Sequence, residues 1–127
     1  MSLSDLCEAQ QQARCVLVTG SRSWTDFDAI KSELKKCISA VRLIHGNAHG
    51  ADLLAAKAAD ELKFKMISGY RAQWDKYGRA AGPIRNKQML DEGKPDFVLA
   101  FHKDESRGTQ HMINIARAAN VPVKVIT

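Results

Sequence analysis

Apolar positions fall along this chain in two alternating textures, short continuous runs and longer stretches with helical spacing. Cys15-Val16-Leu17-Val18-Thr19 is a continuous run that stops at Gly20, the pattern of a strand buried on both faces. Residues 26–40 place Phe27, Ile30, Leu34, Cys37 and Ile38 at helical spacing. Val41–Ile44 is a second short strand running into His45-Gly46, and residues 50–64 read as an alanine-rich helix with Ala51, Leu54, Ala55, Ala58 and Leu62 on one side. Lys65–Ser68 is a weak third strand, Asp96–Phe101 a fourth and Val121–Ile126 a fifth. The intervening residues 71–90 are basic and broken by Gly78, Gly82 and Pro83. They predict a loop followed by a helix from Pro83, proline being favoured at a first helical position. A last helix over 109–119 stands behind a Ser106-Arg107-Gly108 turn, and the polar, glutamine-rich residues 1–14 are either a short helix or a loose leader to a domain spanning 15–127.

Alternating helices and buried, non-amphipathic strands predict an α/β fold. The expected form is a single Rossmann-like domain of about five mostly parallel strands with helices on both faces. The chain has 127 residues, 45% hydrophobic and 26% charged, which excludes a disordered tail, a collagen-like repeat and a coiled coil. Cys7, Cys15 and Cys37 lack C-x-x-C spacing and read as reduced thiols rather than a disulfide framework or zinc knuckle. No apolar run approaches the ~20 residues that span a bilayer, and Met1–Ala13 lacks a signal-peptide pattern. A cytoplasmic protein with no membrane partner is expected.

In such sheets ligands bind beyond the carboxyl ends of the strands, and three of those ends carry glycine-bearing turns. Gly20-Ser21-Arg22-Ser23 offers close backbone approach, a hydroxyl and a guanidinium to a phosphate; equally, it is a plain strand-to-helix turn with Thr25 or Asp26 capping the helix. His45-Gly46-Asn47-Ala48-His49-Gly50-Ala51-Asp52 makes a nest for an anion or a ribose, with Asp52 placed either to satisfy free amides or to bind sugar hydroxyls. His45 and His49 lie four apart, but on a turn and without a Cys or Glu to complete a ligand set, so no metal is expected. Ser106-Arg107-Gly108-Thr109 opens a helix with two hydroxyls and free amides, Ser106 doubling as its N-cap. The net charge is +5, and Arg71, Lys76, Arg79, Arg85 and Lys87 stand against the single acid Asp75 in one segment. Tyr70, Trp74 and Tyr77 are interleaved there and able to stack on a base, and the glycines around Arg79 allow the segment to fold over a pocket as a lid. Its plain alternative is a solvated basic face with aromatics packed inward, while Phe64, Phe97 and Phe101 read as core.

Several of these motifs together resemble a known family. They are Val18-Thr19-Gly20-Ser21-Arg22, His45-Gly46-x-Ala48-x-Gly50-Ala51-Asp52, Trp74-x-x-x-Gly78-x-Ala80-Ala81-Gly82-Pro83-x-Arg85-Asn86, Pro95-Asp96, Ala100-Phe101 and Ser106-x-Gly108-Thr109. From about Cys15 to Thr127 the chain is similar to the YpsA/YspA-like branch of the SLOG superfamily, Rossmann-like domains related to the LOG phosphoribohydrolases and to the DNA-processing protein DprA. Small stand-alone members are frequent in phages and bacteria and commonly assemble as homo-oligomers. The resemblance implies a nucleotide or nucleotide-derived ligand at the strand ends, held by a sensor or sequestering module without a further cofactor. The residues expected to meet it are Gly20, Ser21, Arg22, His45, Gly46, Asn47, Gly50, Asp52, Trp74, Arg79, Arg85, Asn86, Ser106, Gly108 and Thr109.

LOG kinship also raises N-glycosidase activity, releasing a base from a nucleoside monophosphate. That family's motif places a Glu where this chain has Met112, and a glycine pair where it has Ser106-Arg107. A glycosidase here would need another carboxylate, with Asp52, Asp75, Asp104 and Glu105 as candidates. His49 stands where a basic Arg is common in similar sequences. The DprA kinship and the basic charge raise single-stranded nucleic-acid binding, which ranks last because the one basic segment is broken by glycines.

Overall fold

The computed structural model describes residues 2–127. Five strands form one all-parallel sheet: β1 (Cys15–Gly20), β2 (Arg42–His45), β3 (Met66–Gly69), β4 (Phe97–Phe101) and β5 (Val123–Ile126), in the order β3-β2-β1-β4-β5. The central pair runs in register from Val16 opposite Phe97 to Gly20 opposite Phe101. Alternate residues of β1 supply opposite faces. Val16 and Val18 pack with Phe97, Leu99 and Phe101 under α1 (Leu3–Gln12), α2 (Phe27–Lys36) and α3 (Ala51–Glu61). Cys15 and Leu17 pack with Val98 and Ala100 under α5 (Ala81–Gly93) and α6 (Arg107–Ala118). The expected Rossmann-like α/β architecture with helices on both faces is the one observed. Phe97 and Phe101 are fully buried and Phe64 packs against the same core.

Element ends depart from the sequence pattern for local reasons. The helix expected over 26–40 ends at Lys36, with Cys37 as its C-cap and Ile38 75% exposed. Asp26, not Thr25, is its N-cap, accepting from the Ala29 amide. The helix expected over 50–64 stops at Glu61, and Lys63 turns the chain through a positive φ of 64°. Residues 74–77 form a short helix, α4, and Gly78–Ala80 a 3-10 turn, where the sequence suggested loop. Pro83 then falls third in α5 rather than first. A first-turn position tolerates it because amides there have no intrahelical acceptor. Ser106 caps α6 through the Thr109 amide, so that helix starts at Arg107, two residues before its expected start.

The N-terminal segment is a helix opened by a Ser2–Asp5 capping box. Gln10, buried, donates to the Glu33 backbone carbonyl and carboxylate, each at 3.0 Å, and Lys124 of β5 reaches the same carboxylate at 2.7 Å. Burial raises the Glu33 carboxyl, but hydrogen bonds from Lys124, Gln10 and Lys36 outweigh it and hold the carboxyl below its ordinary value. That contribution to stability is fully present above the ordinary value of 4.5 and is lost as pH falls below it. Lys124→Met is expected to cost about 2 kcal/mol in urea unfolding at pH 7 and to speed proteolysis of the first dozen residues. An unchanged unfolding midpoint would show that the cluster does not anchor α1.

Candidate functional site

The strand order reverses between β1 and β4, so the connections leaving these two strands go to opposite faces and a crevice opens at their carboxyl ends. A cavity of about 750 Å³ occupies it. The turn after β1 and the turn after β4 are locked together on one side. The Ser21 amide donates to the Phe101 carbonyl at 2.9 Å, and the Ser21 hydroxyl donates to the Lys103 carbonyl while accepting from the Lys103 amide at 2.7 Å. Ser23 Oγ reaches Asp104 at 2.7 Å. At the start of α6 the Arg107 and Gly108 amides have no intrahelical acceptor, and both residues line the same cavity.

The turn after β2 is organised by Asp52, 5% exposed in the first turn of α3. One carboxylate oxygen, Oδ2, accepts from the Gly46 amide at 2.9 Å and the Ala48 amide at 3.4 Å. The Arg85 guanidinium donates to the Gly46 carbonyl from the other side. Gly46 is thereby wedged between two charged groups. A β-carbon there would sit 2.6 Å from the Arg85 guanidinium and 2.9 Å from the Asp52 oxygen. Burial pushes the Asp52 carboxyl up to about 6, against the opposing pull of the two amides, Arg85 and Arg22. Burial likewise lowers Arg85 from its ordinary value, with the Asp52 charge acting against it.

Asn86, buried beside Arg85, fixes the state of a residue that sequence reasoning passed over. Its carbonyl accepts from Arg85 Nε at 3.1 Å and its amide nitrogen donates to the Gly108 carbonyl at 3.2 Å. An Arg nitrogen only donates and a backbone carbonyl only accepts, so the side-chain orientation is determined. The second Asn86 N–H then points to His111 Nδ1 at 3.1 Å, which places the neutral ring's proton on Nε2. His111 lines the cavity, as do Lys103 and Arg107. The signal for His111 was its helical spacing, three and four residues beyond Gly108 and Arg107.

Gly20, Ser21, Arg22, Asp52, Trp74, Arg79, Arg85, Asn86, Ser106, Gly108 and Thr109 are brought together around this cavity. Four of the fifteen expected residues are not. His45 is buried at the end of β2, where its Nδ1 accepts from the Asn47 amide at 3.0 Å, and burial lowers its pKa. Gly50 packs beneath the backbone of Ser21 and Arg22. Gly46 and Asn47 line an adjoining cavity instead. Of the carboxylates, Asp52 and Asp104 line the main cavity, Asp75 the adjoining one and Glu105 neither. The Ser21 hydroxyl is engaged with Lys103, and those of Ser106 and Thr109 bond each other at 2.8 Å, so the turns present amides and cations rather than free hydroxyls.

The basic segment divides in the same way. Arg79 and Arg85 line the main cavity, Arg71 and Lys76 the adjoining one, and Lys87 pairs with Asp91 at 3.0 Å on the outer face of α5. Among its aromatics only Trp74 reaches the main cavity; Tyr70 packs against the core and Tyr77 is exposed elsewhere. Met112, at the place of the LOG glutamate, is fully buried in the core under α6. Among the described residues no group of three or more His, Cys, Asp or Glu side chains is placed to hold a metal.

A five-stranded parallel sheet with helices on both faces and a cation-lined crevice at its switch point defines a Rossmann-like domain. Residues 14–77 match the YAcAr family, described as the YspA, cpYpsA-related SLOG family. The chain is also 36% identical over 118 residues to "Gene 61 protein" of Mycobacterium phage D29, covering 87% of this chain and 94% of that one. No solved structure matches it significantly. The chain belongs to the SLOG superfamily, in its YspA-like branch.

Proposed function

We propose that the chain binds a nucleotide or nucleotide-derived ligand in the cavity at the ends of β1 and β4, as a sensor or sequestering module. The observation that carries this reading is the cavity's charge. Arg22, Arg79, Arg85, Lys103 and Arg107 face it against two carboxylates, Asp52 and Asp104. A phosphate fits the free amides of α6 with Arg107 and Lys103 beside them. A base fits the indole of Trp74, 48% exposed. Asp52 faces the ribose side, as an acceptor for sugar hydroxyls. Free thiols suit a reducing compartment, and among the described residues no helix is long and apolar enough to cross a membrane.

A thermal-shift screen with nucleoside monophosphates, cyclic dinucleotides, NAD and ADP-ribose tests this. A ligand at a hundredfold excess over its Kd adds ~2.7 kcal/mol, a shift of several degrees. No shift with any of them at millimolar concentration would reject the reading. Gly108→Ala gives a sharper result. A β-carbon there meets no atom within 4 Å, so the variant is expected to be as stable as the parent or up to ~1 kcal/mol more so. The added methyl holds a phosphate off the α6 amides, so affinity is expected to fall about tenfold, ~1.4 kcal/mol. Unchanged affinity would place the phosphate elsewhere.

A second reading rests on the same cavity. Asp52, with its carboxyl pushed up to about 6, lies in the range of a general acid–base group, which suits cleavage of a glycosidic bond. Release of free base from a nucleoside monophosphate, lost in Asp52→Asn, would favour it over binding alone. Nucleic-acid binding ranks below both, because the cations of the main cavity line a crevice rather than an exposed stripe; a flat dependence of single-strand binding on salt would dismiss it.

A further inference from the structure

A second cavity, of about 770 Å³, adjoins the first, and Arg22, Ala48, Trp74 and Arg85 line both. The border between them is a stacked pair, with the Arg22 guanidinium 5.9 Å from the centroid of the half-exposed Trp74 ring. Beyond that border the second cavity repeats the chemistry of the first. Arg71 and Lys76 supply positive charge against one carboxylate, Asp75, and neither cation forms an ion pair among the described residues. Leu53, 40% exposed, and Ala72 supply an apolar wall. Each cavity is of a size that holds a small-molecule ligand by itself. Each has its own cations, and the indole and the guanidiniums of Arg22 and Arg85 are common to both.

We infer that the two cavities form one bipartite site for a dinucleotide, one nucleotide unit in each, with the phosphate of the second unit held by Arg71 and Lys76. This rests on the nucleotide reading of the first cavity and extends it to the class of ligand. Trp74 then serves as a stacking partition between the units, and the linking phosphodiester, which is the second unit's own phosphate, passes Arg22 and Arg85 at the border to reach Arg71 and Lys76. Joining two modestly binding units through a linkage that fits the border makes the second contact intramolecular, which is where the gain in affinity arises.

Calorimetric titration at 0.15 M salt with AMP and with the linear dinucleotide pApA, and with GMP and pGpG for the other purine, decides the matter. At that ionic strength charges more than ~8 Å apart are largely screened, which limits what long-range charge adds to the dinucleotide. The dinucleotide is expected to bind at least tenfold more tightly than its monophosphate. The exposed pair Arg71→Ser/Lys76→Ser is expected to remove that advantage while leaving the monophosphate Kd within twofold. Lys87→Ser, on the outer face of α5, is expected to change neither. Equal affinity for monophosphate and dinucleotide overturns the bipartite site alone, and so does a double variant that weakens both ligands alike. Binding of neither ligand type overturns it together with the nucleotide reading it rests on.

Discussion

Gly50→Ala is expected to destabilise the fold by at least ~3 kcal/mol, lowering the melting temperature by about 10 °C or more. Gly50 precedes α3 with φ 78° and ψ −126°, a combination that costs an L-residue ~1–3 kcal/mol even in open space. The space is not open. A β-carbon would lie 2.4 Å from the Arg22 carbonyl oxygen and 2.5 Å from that of Ser21, both backbone atoms. They are held where they are, because the Ala51 amide donates to the Ser21 carbonyl at 3.2 Å and Ser21 is in turn locked to Phe101 and Lys103. The clash cannot be relieved at one turn without displacing the other two. Urea unfolding of the purified variant is the measurement, and a midpoint within ~1 kcal/mol of the parent would show that the turns slide past one another. Gly50 lines neither cavity, but the Ser21–Arg22 turn that its β-carbon would displace lines the main one, so the folded fraction of G50A is expected to bind more weakly than the parent as well.

The same residue shows what the sequence carried and what it did not. The glycine-bearing turns after three strands were legible, and with them the edge of the sheet at which a cavity opens. The strand runs were legible where burial is two-sided: β1 and β4 are central and nearly every residue in them is buried. The weak apolar pattern of β3 has its reason in position, since it is an edge strand with Met66 and Gly69 exposed. Which turn residue faces a ligand and which holds the turns together was not legible. Ser21 and His45 have ligand-like side chains whose hydrogen bonds are made within the fold, Ser21 with Lys103, 82 residues away. Arg85 and Trp74 come to the cavity because α4 and the 3-10 turn carry the basic segment back across the strand ends, which the glycines suggested but could not direct. His111 carries no motif of its own and stands next to Met112 at the family's glutamate place, yet it is His111 that lines the cavity while Met112 fills the core.

Asp52→Asn is expected to stabilise the protein at neutral pH by about 3 kcal/mol, with the gain vanishing toward pH 4. Burial raises this carboxyl from 3.8 to about 6 in the folded state, so between those values the native protein binds a proton that the unfolded chain has lost. The sign follows: the contribution of Asp52 to stability is most favourable below pH 4, falls as pH rises toward 6, and above 6 remains at its least favourable. Both amide hydrogen bonds end on the one oxygen Oδ2, so the single carbonyl of asparagine can accept both, and the variant mimics the protonated parent. Glu33 titrates with the opposite sign, but it is present in both proteins and cancels in their difference. Unfolding both in urea from pH 4 to pH 8 therefore isolates Asp52. A difference independent of pH, or a variant less stable at pH 7, would mean that attraction to Arg85 and Arg22 outweighs the burial of the charge. A carboxylate kept ionised at neutral pH on the wall of a cavity, at a cost to the fold that a near-isosteric amide would remove, is explained by a ligand that uses the charge. Ribose hydroxyls donating to Asp52 are such a use, and the stabilised variant is accordingly expected to bind its nucleotide at least tenfold more weakly; tighter binding would instead seat a phosphate beside Asp52 and turn the ligand end for end.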